Sequence, residues 1–427
     1  MDKFSLVIFG SSGYTGIYVV EEIFRYLAKH GPKFTWAVAG RNEVKLRECL
    51  ATSLDYAGIR DYDISSVEII NADTNDYDSL VRMAKKAKIL ISCVGPYRSF
   101  GEPVVKACIE SRTDYIDFSG EPQFLEEIQM RYYDIARERN LYILPSCGFD
   151  SLPCDVGVEF TKSKFPGTLD SVETFLSGSF KKGLKANSAT WDCIIEGFHH
   201  SHELRPLRRK LFPQVFGDIQ QFKSRYPIAR RVLYRDENSK LYIPFLGSDR
   251  SVVKRSQLHS YNFFNSRPVQ MEAYTYMPMK AIFQALISVA LFMIMVPFQF
   301  GRKLLHDYPS FFTWGLFCRG GPSRDQVLNS SFEIIIKGRG WKERLADPLE
   351  QPTIPPDGKI ITRITGPNPG YPTAAISALC AGVTLLEERD KLPGSGGVLT
   401  PGVAFAKTSI VDRLSVNRIK FDVISVS

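Results

Sequence analysis

No CxxC pair occurs in this sequence: its eight cysteines stand singly at positions 49, 93, 108, 147, 154, 193, 318 and 380. That scatter offers neither a disulfide framework nor a zinc site, and a reducing compartment is the simplest reading. Histidine is scarce, six residues in 427, and only His199, His200 and His202 cluster. A metal centre needs further ligands at defined spacing; none is visible, so this cluster reads as a solvated turn and no metal is expected. Internal repeats and low-complexity tracts are lacking. Residues 4 to 9 already read as a strand, so no signal peptide is expected. A basic stretch runs from 201 to 256, with thirteen Lys and Arg against five Asp and Glu, a surplus equal to the formal charge of +8 on the whole chain. No nucleic-acid motif accompanies it, so no nucleic-acid partner is expected.

What is present starts at the fourth residue. Leu6-Val7-Ile8-Phe9 is an apolar run suited to a buried strand, and Gly10-Ser11-Ser12-Gly13-Tyr14-Thr15-Gly16 follows at once. Glycines spaced three apart let backbone approach backbone in a tight turn, and a helix from about Thr15 to Lys29 would aim free N–H groups at an anion in that turn. The pattern predicts dinucleotide binding by Gly10, Ser12, Gly13, Tyr14, Thr15 and Gly16, a glycine turn of purely structural purpose being the alternative. The next strand, Phe34 to Ala39, lacks the carboxylate that reads a ribose 2′-OH: Gly40 and Arg41 stand there, with Lys45 one helical turn on. A carboxylate would repel a 2′-phosphate, whereas Arg41 offers it a planar fork, so NADP is the expected cofactor.

Strand and helix continue to alternate. Val67 to Ile70, Ile89 to Val94, Tyr115 to Phe118 and Leu141 to Leu144 read as strands separated by helical stretches, which predicts an α/β fold with a doubly wound parallel sheet. Ligands of such sheets lie outside the carboxyl ends of the strands. Four polar turns converge there: Asp73, expected near adenine; Gly95 to Gly101, with Gly95 and Pro96 beside the cofactor; Ser119 to Glu121; and Cys147 to Asp155. Tyr97, Glu121 and Asp150 are the candidates for proton transfer. Packing against the cofactor is the alternative for Tyr97, and starting a helix at Pro122 the alternative for Glu121. Cys147 has no paired histidine and reads as a small buried residue.

Six motifs in order, namely Phe9 to Gly16, Ala37 to Arg41, Cys93 to Tyr97, Asp117 to Pro122, Cys147 to Ser151 and Gly397 to Gly402, resemble the animal saccharopine dehydrogenase-like oxidoreductases over nearly the whole chain. More distantly the chain is similar to saccharopine reductases and to bacterial trans-acting enoyl reductases. The resemblance implies a Rossmann-type NADP-binding domain (1–150), an inserted α+β substrate domain (151–365) and a C-terminal segment (366–427) that returns to the Rossmann part. It also points to lipid droplets and other membranes. Saccharopine reductases carry Gly-Leu-Asp-Pro-Gly followed by Asp-His, where this chain reads Gly148-Phe149-Asp150-Ser151-Leu152 and then Asp155-Val156. Asp150 is kept and the histidine is not, which shifts the expected substrate from free saccharopine toward a lipid-related or another amino-acid-related molecule.

Ala281 to Phe300 contains no charged residue. As one helix it would be about 30 Å long, enough to cross a hydrocarbon core, with Pro297 placed to kink or end it. Tyr308, Phe311, Phe312, Trp314 and Phe317 follow as an interfacial belt, so 281–318 is expected to associate with a membrane. If the chain beyond it rejoins the Rossmann part, a single crossing is excluded, and a hairpin or in-plane helix suited to a lipid droplet or the cytosolic face of an intracellular membrane remains. The basic stretch 201–256 would add attraction to anionic lipid, about 1 kcal/mol per cation near the surface. A buried core helix or a homodimer contact is the alternative for 281–300. The functional expectation is an NADP-dependent oxidoreductase at a lipid surface, acting on a small-molecule or lipid substrate; the competing class is a lipid-surface scaffold whose nucleotide-binding domain is vestigial.

Overall fold

A computed structural model describes residues 3–427. The chain divides into two compact units, one formed by 1–120, 124–156 and 369–419 and the other by 121–123, 157–368 and 420–427.

The first unit opens with β1 (Phe4–Phe9), α1 (Tyr14–His30), β2 (Trp36–Gly40), α2 (Glu43–Ala57), β3 (Glu68–Asn71), α3 (Tyr77–Lys85), β4 (Ala87–Ser92), α4 (Tyr97–Glu110), β5 (Asp114–Asp117), α5 (Pro122–Glu138) and β6 (Tyr142–Leu144). After β6, α6 (Leu152–Lys164) leads into the segments of the second unit. These are β7 (Thr168–Phe180), β8 (Ala186–Asn187), α7 (Ser188–His199), α8 (Leu204–Phe216), β9 (Tyr234–Arg235), β10 (Leu241–Pro244), α9 (Asp249–Phe264), β11 (Gln270–Tyr276), α10 (Met279–Met295), α11 (Gln299–Asp307), α12 (Pro309–Phe312), β12 (Phe317–Cys318), α13 (Arg324–Leu328), β13 (Ser330–Trp341) and β14 (Gly358–Pro367). The chain ends with α14 (Ala374–Glu387), β15 (Gly397–Val398), α15 (Pro401–Ala404), α16 (Ile410–Val416) and β16 (Lys420–Val426).

In the first unit the strand order is β15-β6-β5-β4-β1-β2-β3, every pair parallel. This is the doubly wound arrangement, its order reversing at β1 and β4, where the expected crevice lies. The strands are continuous apolar runs because helices cover the sheet: Leu6, Val7 and Ile8 have no exposure at all. α14 lies directly on it, since a Cβ at Gly382 would stand 3.3 Å from both Leu6 and Ile91.

The second unit is α+β, a mixed sheet in the order β16-β14-β13-β7-β11-β10-β9, with β7 and β11 parallel and the other pairs antiparallel. Its most buried ion pair joins Arg267 to Asp170 at 2.8 Å; Ser224 and Gln270 donate to the second carboxylate oxygen, and the guanidinium also donates to the carbonyls of Pro348 and Glu350. Both charges are thus fully hydrogen-bonded, which is what makes their burial tolerable. The last eight residues belong here: β16 pairs with β14, so the C-terminal segment divides, 369–419 going with the dinucleotide-type sheet and 420–427 with the mixed sheet.

The apolar stretch is shorter as a helix than the sequence suggested. α10 has 17 residues, about 25 Å, and it ends before Pro297, which has no N–H to continue it. The carbonyls of Val296 and Pro297 instead accept from Arg302 Nη1. The chain turns back tightly at Gly301, where a Cβ would lie 2.2 Å from the Met295 carbonyl oxygen. One side of α10 and α11 packs on α7 in a cluster of Trp191, Ile195, Phe292, Val296 and Leu305, with Phe312 and Phe317 at its edge. The other side faces solvent. Phe283, Leu286, Ile294, Phe298, Phe300 and Phe311 are each at least 64% exposed, and Phe292 is the sole buried residue within α10. This excludes a core helix for 281–300. β11 and β13, which flank the excursion, both pair with β7, so the chain leaves and re-enters one and the same sheet.

Candidate functional site

At the carboxyl end of β1, Gly10 adopts φ +79° and its N–H donates to the Ala39 carbonyl. A Cβ there would sit 2.5 Å from Val94, and one at Gly16 would sit 2.5 Å from the carbonyl oxygens of Gly10 and Ser11. The turn is therefore closed against the β4 loop, and α1 is pressed onto it, as only glycine permits. Gly13 is the exposed N-cap; no side chain caps α1 and its first turn carries no acidic residue. Ser12 and Thr15 are half-buried beside it, whereas the Tyr14 ring turns to Tyr371, 4.6 Å away edge-on. Ser11 is fully buried, with its hydroxyl oxygen unbonded.

β2 ends at Gly40, and Arg41 and Lys45 are both exposed, with no ion pair among the described residues. Asn42 caps α2 by accepting from the Lys45 N–H, which fixes the start of that helix. Asp73 Oδ1 accepts from the Asn75 N–H, and Ser79 bonds the Asp73 backbone, so the turn expected near adenine is held by its own residues.

The peptide between Gly95 and Pro96 is cis, and α4 begins at Tyr97. The Tyr97 hydroxyl donates to the Ser92 carbonyl at 2.9 Å and accepts from the Phe118 N–H at 3.4 Å. It thereby ties the end of β4 to the loop after β5, a positioning role. Asp117, not singled out from the sequence although it opens one of the six motifs, holds the neighbouring turns: Oδ1 accepts from the N–H groups of Ser119 and Ser146, and Oδ2 from the Tyr115 hydroxyl. Asp155, at the end of the fourth polar turn but not among the candidates for proton transfer, is fully buried and accepts from the Gly402 N–H at 2.6 Å. A Cβ at Gly402 would overlap that carboxylate, which explains the glycine in the Thr400-Pro401-Gly402 turn.

Asp150 stands apart. Burial pushes its carboxyl up to about 6, although part of the residue still meets solvent. Its Oδ2 comes so near Gly120 that a Cβ there would lie 2.9 Å away. A carboxyl in this range can be protonated near neutral pH and return to its base form, as an acid catalyst requires. Burial, and then the charges of Asp117 and Asp155, push the Cys147 thiol well up, so it stays protonated and inert. Glu121 falls in the other unit, where its Oε1 accepts from the Cys193 thiol, and Pro122 directly after it begins α5. His200 bonds Glu203, and His202 lies against the His199 carbonyl, at the end of α7 and the turn after it.

A family model for the saccharopine dehydrogenase NADP binding domain matches residues 6–144. Over 99% of this chain, and 98% of its own length, a rat saccharopine dehydrogenase-like oxidoreductase is 41% identical. The chain belongs to that family. A relative from Caenorhabditis elegans named lipid droplet localized protein is 35% identical over 97% of both chains. Among solved structures, yeast saccharopine dehydrogenase (L-Glu forming) aligns with 98% of the chain and 99% of its own at a TM-score of 0.51 and 12% identity, a likeness of fold.

Membership in the saccharopine dehydrogenase-like family makes NADP the cofactor, and the first unit suits it: a glycine turn with no room for side chains, an uncapped helix start beside it, and two exposed cations after β2, Arg41 and Lys45, with no ion pair among the described residues. Gly10, Ser12, Gly13, Thr15 and Gly16 would hold the pyrophosphate, with Arg41 and Lys45 on the 2′-phosphate. Replacing Arg41 and Lys45 together by Ala is expected to weaken NADPH binding by on the order of 100-fold, from two charge-assisted contacts at about 1.5–3 kcal/mol each before screening. NADH binding should be nearly unchanged. Isothermal titration with both nucleotides checks this.

Proposed function

We propose that the protein is an NADP-dependent oxidoreductase working at the surface of a lipid droplet or an intracellular membrane, on a substrate carried in that lipid layer. The observation that carries this reading is the exposed apolar face of α10–α12 on a chain whose other unit has the dinucleotide turn. A monomer displaying this many contiguous large apolar side chains stays soluble only if something covers them. A phospholipid monolayer over neutral lipid fits: both flanks of the excursion enter one sheet, so the helices dip in from one side.

When bound, NADPH supplies the hydride. The chain supplies the rest. Asp150 delivers a proton to the reduced group from a carboxyl raised to about 6. Tyr97, Asp117 and Asp155 hold the loops in place, and Gly120 leaves room for the Asp150 carboxyl. A lipid-borne substrate accords with the absence of the histidine found after the corresponding aspartate in saccharopine reductases. The test is label transfer. Droplets isolated with the protein are incubated with NADPH deuterated at the nicotinamide C4, and the extracted lipids are analysed by mass spectrometry. Deuterium should enter a lipid with the wild type and not with Gly13→Asp, whose carboxylate would face the pyrophosphate. Consumption of NADPH with label only in water-soluble products, or residence of the protein in the mitochondrial matrix, would overturn the lipid assignment.

A further inference from the structure

At the foot of the apolar helices lies an open cavity of about 570 Å³ lined by Glu196, Gln299, Phe300, Arg302, Lys303 and His306. Its positive groups are set up for a ligand. Arg302 spends only Nη1 on the hairpin carbonyls, which orients the guanidinium and leaves Nε and Nη2 for another acceptor. Lys303 is exposed and has no hydrogen-bond or ionic partner among the described residues. α11, nine residues long, starts at Gln299 with no side-chain cap and no acidic residue in its first turn. The one carboxylate in the lining is already engaged: Glu196 meets His306 Nε2 at 3.2 Å and His200 Nε2 at 3.6 Å, while His306 Nδ1 meets Asp192 at 2.6 Å. These contacts brace α11 against α7 and engage Glu196 with the two histidines rather than with Arg302 or Lys303. The rim is apolar, with Phe298 66% and Phe300 74% exposed.

We propose that this cavity binds the phosphate group of an anionic glycerophospholipid, with Arg302 and Lys303 as its cationic partners and Phe298 and Phe300 against the acyl chains. The inference rests on the lipid-surface reading above and specifies its headgroup. Its physical basis is the arrangement: two cations one residue apart, at the level where exposed phenylalanines give way to polar chain, place charge where lipid phosphates lie when α10 is immersed. An arginine fork matches a phosphate's paired oxygens.

Flotation of the full-length protein on triolein droplets coated with phosphatidylcholine, with or without phosphatidic acid, tests the proposal. Wild type is expected to bind both and to prefer the phosphatidic acid droplets by on the order of 30-fold, from two cations close to the surface. Lys303→Glu should lose most of that preference while binding phosphatidylcholine droplets as before. Lys85→Glu, the same charge change at an exposed residue of the first unit, should keep it. Arg302→Gln should abolish the preference, with its melting temperature measured because the residue also caps the hairpin. A wild type without preference, or a Lys303→Glu variant that keeps it, overturns the headgroup site and leaves the lipid-surface reading standing. Failure of the wild type to float with either droplet overturns the lipid-surface reading itself. Inorganic phosphate and glycerol phosphate competing as well as phosphatidic acid would assign the cavity to a free phosphate and overturn the lipid source.

Discussion

Asp150→Asn is expected to lower the rate of hydride transfer by about 10²–10⁴-fold while leaving NADPH affinity unchanged, the range for removing a positioned general acid. Asparagine has nearly the same shape and fits beside Gly120, but it has no proton to give. With the carboxyl at about 6, the wild-type rate should be flat at low pH and fall tenfold per unit above that value, as the acid form is depleted; the variant should lack this inflection. Stability changes in a coupled way. In the unfolded chain the group ionises near 3.8, in the fold only near 6. The folded form therefore binds the extra proton between these values. The contribution is fully present below about 3.8 and is lost as pH rises through about 6. The variant should not show that loss, so it should gain on the wild type above pH 6. A pH–rate profile and denaturant melts at several pH values measure both effects. If Asp150 were only structural, the variant would shift the melts and retain the inflection.

Replacing Phe283, Leu286 and Ile294 together by Asp should release the protein from droplets. These side chains are 67%, 64% and 66% exposed, so immersion would bury most of each. At about 1.5–3 kcal/mol for burying one such side chain, the triple variant loses three or more decades of partition, before the further cost of bringing three carboxylates to the lipid. Folding should be barely affected, because surface substitutions of this kind stay within about 0.5 kcal/mol each. Phe292→Asp is the contrasting variant. That residue packs on Trp191 within the buried cluster, and its replacement should destabilise the second unit. Fractionation of cells and of reconstituted droplets reads the first effect, thermal melts the second. A folded triple variant that still co-fractionates with droplets would refute the anchor.

Much of the dinucleotide-binding unit is legible in the sequence because its signals are local. A four-residue apolar run, glycines at steric contacts and alternating strands and helices each reflect constraints within a few residues of one another, so β1 to β6 lie within about two residues of their expected positions. The missing carboxylate at Gly40 is legible for the same reason. Contacts distant in sequence are not. Asp117 looks like any motif aspartate until β5 and β6 lie side by side and Ser146 is brought to it. The Tyr97 hydroxyl looks available until the loop after β5 closes on it. Nothing in the sequence sends 420–427 to the mixed sheet, because strand pairing depends on which edge is open, here β14.

The apolar segments show where this boundary lies. Residues 369–387 form a helix long and apolar enough to cross a membrane and 279–295 a shorter apolar one, and apolar composition alone does not say which is buried. Hydrophobicity is a property of the chain; burial is a property of its neighbours. α14 finds the strands of the parallel sheet and disappears into the core, while α10 packs on α7 and its neighbours along one side and leaves the other bare. The sequence by itself determined the cofactor class and the parallel sheet, since both depend on short-range sterics and on one charge. The tertiary structure decided which carboxyl is raised, which tyrosine is committed and which apolar helix faces outward, because each depends on groups far apart in the chain meeting in space.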